Sequence, residues 1–154
     1  MHNYEIAEYF SLLAKLMDIH GENAFKIKSY SNAAYTLDRL NDPLEEMTPA
    51  QIAGIRGIGD TLAQKIVDLL ATKKLQLLED YIQKTPVGIL EMLKIKGLGP
   101  KKIITIWKEL GIESIGELLY ACEENRLINY KGFGAKTQQS IQDSLNYYLQ
   151  NQGS

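Results

Sequence analysis

With 154 residues, 45% of them hydrophobic and 23% charged, the chain has apolar material for one core or two small ones, which excludes a disordered or fibrous protein. A formal charge of −2 gives no overall pull on a polyanion, so any nucleic-acid binding must rest on local clusters. The lone Cys122 has no partner for an internal disulfide, no apolar run approaches membrane-spanning length, and no signal peptide precedes the first helix. A cytoplasmic protein with no membrane partner is expected.

In chain order, residues 3–18 predict an amphipathic helix, because Ile6, Phe10, Leu13 and Met17 recur at helical spacing. Gly21 breaks it, and a second helix is expected over residues 23–40, stopped by Pro43. Lys26 and Tyr30, four apart, are expected to project from one region of that helix. Thr48-Pro49-Ala50-Gln51 combines an N-cap, a first-turn proline and a capping-box glutamine. A helix to about Lys73 and a short one over 74–83 follow. Thr85-Pro86 is the best internal boundary, dividing residues 1–84 from 85–154, with Thr85 expected to cap the next helix. Pro100 opens a further helix that carries Trp107, expected in the core rather than as a stacking platform, and Gly111 ends it. Ser114-Ile115-Gly116-Glu117 reads as a second capping box, and a last helix carries Leu145, Tyr148 and Leu149 before a polar tail from Gln150. No strand-like alternation persists, so the predicted fold is all-α, with two small helical subdomains.

Three stretches organise these elements: Ile55-Arg56-Gly57-Ile58-Gly59, Ile95-Lys96-Gly97-Leu98-Gly99 and Tyr130-Lys131-Gly132-Phe133-Gly134. Ile66, Ile106 and Ile141 stand seven residues after the second glycine, and Ile52, Met92 and Leu127 stand three before the leading apolar residue. One supersecondary unit is therefore used three times. The glycines permit a sharp bend and close approach, the apolar residue between them plugs inward, and the next helix offers unsatisfied N–H groups to an anion. Arg56, Lys96 and Lys131 add charge at the rim. The pattern resembles the helix-hairpin-helix motif of DNA-binding proteins; the competing reading is a helical corner with no ligand. Charge is unevenly spread. Asp38, Asp42, Glu45 and Glu46 cluster, whereas Lys94, Lys96, Lys101, Lys102 and Lys108 follow one another without an intervening acid.

The string Gly21-Glu22-Asn23-Ala24-Phe25-Lys26-Ile27-Lys28-Ser29-Tyr30, followed by the first hairpin, resembles the amino-terminal domain of family X DNA polymerases, especially the bacterial and archaeal branch. The resemblance covers nearly the whole chain. It implies a four-helix domain with the first hairpin, then a fingers-like subdomain with the second and third. No Asp-x-Asp occurs, so the Mg²⁺-binding palm of that family is expected only in a part of a longer polymerase not contained here.

The resemblance also implies site residues. Gly57, Gly59 and Thr61 would offer amides to one DNA strand, and Gly97, Gly99, Lys101 and Lys102 to the other. Lys26 and Tyr30 would lie beside a 5′-phosphate, with Lys28 or Arg56 making up for charge lost elsewhere in the site. Lys65 falls at the Schiff-base position of the polymerase beta branch, which removes 5′-deoxyribose phosphate. Thr61 and Gln64 depart from that branch, which has a lysine and an acid there. A monovalent cation, K⁺ or Na⁺, would be held by the carbonyls of Ile55, Ile58, Ile95 and Leu98. Lys131, Gly132, Gly134 and Lys136 of the third hairpin would touch DNA or only pack. The expected partner is gapped, nicked or 5′-phosphorylated DNA, bound by a monomer at the bacterial nucleoid. A binding-only protein and a protein-interaction module are the rivals.

Overall fold

The computed structural model describes residues 1–152, and among them every regular element is helical. The chain forms two units, one spanning Met1–Gln83 and one beginning at Lys84.

In the first unit, α1 (Asn3–Ile19) and α2 (Ala24–Asp38) pack as an antiparallel pair. Ile6, Phe10, Leu13 and Met17 are all buried, as their period requires, joined by Leu16 and Ile19. Asn23 caps α2, its side chain accepting from the amides of Phe25 (2.8 Å) and Lys26 (3.2 Å). The helix ends at Asp38, well before Pro43, which is not the residue that stops it. The exiting chain is instead gripped by Asn3. Its Nδ2 donates to the carbonyls of Leu40 (3.2 Å) and Asp42 (2.9 Å), and its Oδ1 accepts from the Leu44 amide (2.9 Å). Pro43 caps the short 3₁₀ turn Leu44–Glu46. Then come α3 (Pro49–Ala53), α4 (Asp60–Thr72) and α5 (Gln76–Gln83). The Thr48 capping box forms in both directions, at 3.2 and 2.8 Å.

The second unit contains α6 (Val87–Met92), α7 (Pro100–Ile104), α8 (Ile115–Glu123) and α9 (Ala135–Asn151). Pro86, not Thr85, is the N-cap of α6, and Thr85 is buried instead. Ser114 does cap α8, accepting from the Glu117 amide at 3.1 Å. Its hydroxyl also donates to the Glu117 carboxylate at 3.0 Å, so the box closes between side chains. α9 runs through Asn151, and the expected polar tail from Gln150 is helical over its first two residues.

Beyond α7 the helix widens into a π turn, Thr105–Glu109, where the Leu110 amide reaches back to the Thr105 carbonyl at 3.1 Å. Ile106 is fully buried by it, but Trp107 is only half-buried. Its Nε1–H donates to Glu113 at 2.9 Å, and the Lys108 ammonium sits 3.6 Å from the ring centroid. Trp107 is therefore not the core residue expected, because the extra residue in the turn shifts its phase around the helix.

Gly88, which carries no motif, sits where α6 meets the start of α8. A Cβ there would overlap the carbonyl oxygen of Glu113 and lie 2.8 Å from the Ser114 Cα. Only a hydrogen fits.

Candidate nucleic-acid interface

The three loops share one backbone. In each, the residue between the glycines donates its N–H back to the leading apolar residue: Ile58 to Ile55 (2.9 Å), Leu98 to Ile95 (3.1 Å) and Phe133 to Tyr130 (3.0 Å). The first glycine stands at the third position of this turn with φ of +92°, +91° and +89° at Gly57, Gly97 and Gly132. A type II turn requires that value, and side chains oppose it. The second glycine is the N-cap of the following helix in every case, with an extended φ and no side-chain cap. The fourth-turn bond also repeats, from Ala63, Ile103 and Gln138 to Gly59, Gly99 and Gly134 at 2.9, 3.1 and 2.9 Å.

The two glycines are needed for different reasons. A Cβ on Gly59, Gly99 or Gly134 would meet nothing within 4 Å, and their φ values suit any residue. The fold thus does not demand glycine at the second position. What glycine does there is leave the mouth of a helix N-terminus bare.

The loops differ in charge and burial. Ile58 and Leu98 are buried plugs, whereas Phe133 is half-buried. Arg56, Lys96 and Lys131 are all exposed at the rim. Asp60 opens α4 and already complements its dipole, which lowers the first loop's attraction for an anion. α7 instead opens on Pro100 followed by Lys101 and Lys102, whose charges the positive helix end disfavours unless an anion joins them. The third loop opens α9 with exposed Lys136. There Leu127 lies outside the helix, unlike its counterparts Ile52 and Met92. α8 closes on Asn125 (φ +57°), with the Arg126 amide reaching the Ala121 carbonyl at 2.9 Å, a Schellman-type stop. Buried Gln138 then locks the loop, accepting from the Leu127 amide (3.0 Å) and donating to Asn125 Oδ1 (2.8 Å). The third repeat keeps the turn and rebuilds the approach to it.

In the first unit, Lys26 and Lys28 are exposed on α2, but Tyr30 is 4% exposed and stacks on Phe10 with centroids 6.0 Å apart. Burial pushes its hydroxyl pKa up. The expected pairing of Lys26 and Tyr30 toward a phosphate is not made: Lys26 lies in the first turn of α2, beyond the cover of α1, while Tyr30 lies under it. Sequence reading passed over Phe25, which is 81% exposed between that cap and Lys26. A large apolar ring set among lysines at a helix start is the signal that marks it.

Lys65 is half-buried and lines a hollow of about 330 Å³ with Asp68, Thr72 and Lys74. Neither Lys26 nor Tyr30 lines that hollow. Gln64, beside Lys65 in sequence, is engaged with Asp68 at 2.9 Å. As for a cation, a carbonyl oxygen has two lone pairs. In Ile55 and Ile95 one of them accepts the turn's own N–H, which leaves the other for an ion.

Three uncapped glycine turns leading into helices define a tandem helix-hairpin-helix protein. Residues 1–75 match the family described as a helix-hairpin-helix domain, and residues 89–146 match the SAM-like helix-hairpin-helix tandem. In particular, the chain is similar to the amino-terminal part of a PolX protein. It is 32% identical over 145 residues to the DNA polymerase/3′-5′ exonuclease PolX of Bacillus subtilis (strain 168), covering 94% of this chain and 25% of that protein. The chain thus spans about a quarter of the length of this relative. These comparisons support DNA binding. No helix among the described residues is long and apolar enough to cross a membrane.

Proposed function

We propose that this chain binds gapped or nicked DNA through backbone phosphates, independently of base sequence, as the amino-terminal part of a family X repair polymerase. The observation that carries this reading is the threefold repeat of one turn, each with a bare second glycine that its own fold does not require. The second loop supplies most of the affinity, through the amides and side chains of Lys101 and Lys102 with Lys96 at the rim. The first loop, with Gly57, Gly59 and Thr61, holds the other strand, with Lys26 and Lys28 attending a 5′-phosphate and Phe25 beside them. K⁺ or Na⁺ held separately at each loop, by the carbonyls of Ile55 and Ile58 in the first and of Ile95 and Leu98 in the second, would bridge that loop to a phosphate oxygen. The protein acts as a monomer on DNA in the bacterial cytoplasm.

The same reading gives Lys65 a reaction. Its unprotonated amine would add to the C1′ aldehyde of a 5′-deoxyribose phosphate, and loss of water would give an iminium. Removal of a C2′ proton then breaks the C3′–O bond, the oxygen leaving as part of the 5′-phosphate of the freed strand, and water hydrolyses the remaining imine to release the unsaturated sugar phosphate and restore Lys65. The hollow shared with Asp68 and Lys74 supports this step.

Fluorescence anisotropy tests the binding. Affinity should fall steeply with salt, by a slope of about 0.9 per phosphate contacted. It should also favour gapped, 5′-phosphorylated DNA over blunt duplex, and equal affinity for the two would remove the repair assignment. Borohydride reduction with a 5′-deoxyribose phosphate substrate should trap an adduct absent from Lys65→Ala. No adduct would leave a protein that binds DNA without this chemistry, and an adduct that survives the substitution would take the reaction away from Lys65.

A further inference from the structure

The second unit contains a groove of about 540 Å³ that begins at the second loop and ends along α9. Lys94 and Lys96 line it beside the second loop, and Asp143, Tyr147, Tyr148 and Asn151 line it from α9. Tyr147 is 71% exposed, and the Tyr148 hydroxyl points to Glu91 at 3.4 Å. We infer that this groove receives an unpaired base from the strand whose phosphate is held at the second loop, which rests on the DNA-binding reading above.

Several features favour that occupant. The groove and the phosphate clip share a lip, because Lys96 immediately precedes Gly97. Its two lysines outnumber its one carboxylate, Asp143, and so attract a polyanion, while the tyrosines of α9 offer aromatic rings on which any base can stack. The volume lies within the range of about 300–1,000 Å³ typical of pockets for small molecules. A paired base stays inside the duplex, so only a gap, nick or overhang supplies a ligand. The groove would thereby read the presence of unpaired DNA, which phosphate contacts alone cannot do.

The test uses the 154-residue chain and DNA carrying 2-aminopurine as the first unpaired nucleotide of a gap, with the same probe paired in a blunt duplex as reference. Binding should quench the unpaired probe and not the paired one. Tyr147→Ala should abolish the quench and weaken gapped-DNA binding by about tenfold, within the range of a lost base–aromatic stack. It should leave blunt-duplex affinity unchanged, and Tyr147→Phe should retain both properties. Absence of quench in the unaltered chain, as a groove built for a polypeptide would give, overturns the inference. So does a Tyr147→Ala loss that is equal on gapped and blunt DNA. The double variant Lys101→Glu/Lys102→Glu separates the two levels. If it binds both DNAs normally, the second loop is not a phosphate clip and the whole reading falls. If it loses both while Tyr147→Ala changes nothing, only the groove assignment falls.

Discussion

Replacing Gly88 by alanine is expected to lower the stability of the second unit by about 3 kcal/mol, the upper part of the usual range for overpacking. The added methyl group has no direction in which to relax. It would meet the Glu113 carbonyl and the Ser114 Cα, both backbone atoms, so the chain itself must move. That movement would pull Ser114 from the Glu117 amide and Glu113 from the Trp107 ring nitrogen, two hydrogen bonds at 3.1 and 2.9 Å. For a unit of this size the loss corresponds to a Tm lower by on the order of 15 °C. Circular dichroism melting measures it. A change of less than two degrees would show that α6 and the start of α8 can separate freely.

The second large effect separates the two glycines of the second loop. Gly97→Ala should cost about 1–3 kcal/mol, because alanine must take a φ of +91° that side chains resist. It should also weaken DNA binding, since the turn that aims the helix start is strained. Gly99→Ala should leave stability unchanged or slightly higher: its φ is −101° and a Cβ there meets nothing within 4 Å. Yet it should lower DNA affinity by about tenfold or more, because a methyl group then occupies the approach to the amides that hold a phosphate. Urea denaturation and anisotropy on the same preparations give both quantities. Wild-type affinity in Gly99→Ala would mean that no phosphate comes close to this loop.

The parts of this fold legible in sequence are those whose causes are local. A glycine pair around an apolar residue announces its own turn. Thr48 with Gln51, and Ser114 with Glu117, announce caps because both partners lie within four residues. The buried faces of α1 and α4 follow from spacing alone. What was not legible depends on contacts distant in sequence. Gly88 looks like any helical glycine until Glu113 is brought against it. Tyr30 shares a helix face with Lys26, and only the placement of α1 determines that one is covered and the other is not. Trp107 lost its expected core position to a π turn, which no periodicity argument anticipates. The third repeat concealed its difference in the same way. Leu127 stands at the register of Ile52 and Met92, but Asn125 ends the helix before it, and Gln138 supplies the bonds that the missing turn would have made.

The three bonds of Asn3 have a consequence for the order in which the first unit is completed. They join residues separated by 37, 39 and 41 positions, far longer than the four-residue contacts within a helix. Such closures come late, because the loop between the partners must already be condensed. During synthesis Asn3 emerges before α2 and has nothing to hold until that helix has formed and turned back. The strap before the first hairpin can therefore set only after α1 and α2 have docked, and the hairpin is presented at its fixed height only after that. Asn3→Ala would leave both helices intact and the connector slack, with the first glycine loop attached to a scaffold that no longer fixes where it begins.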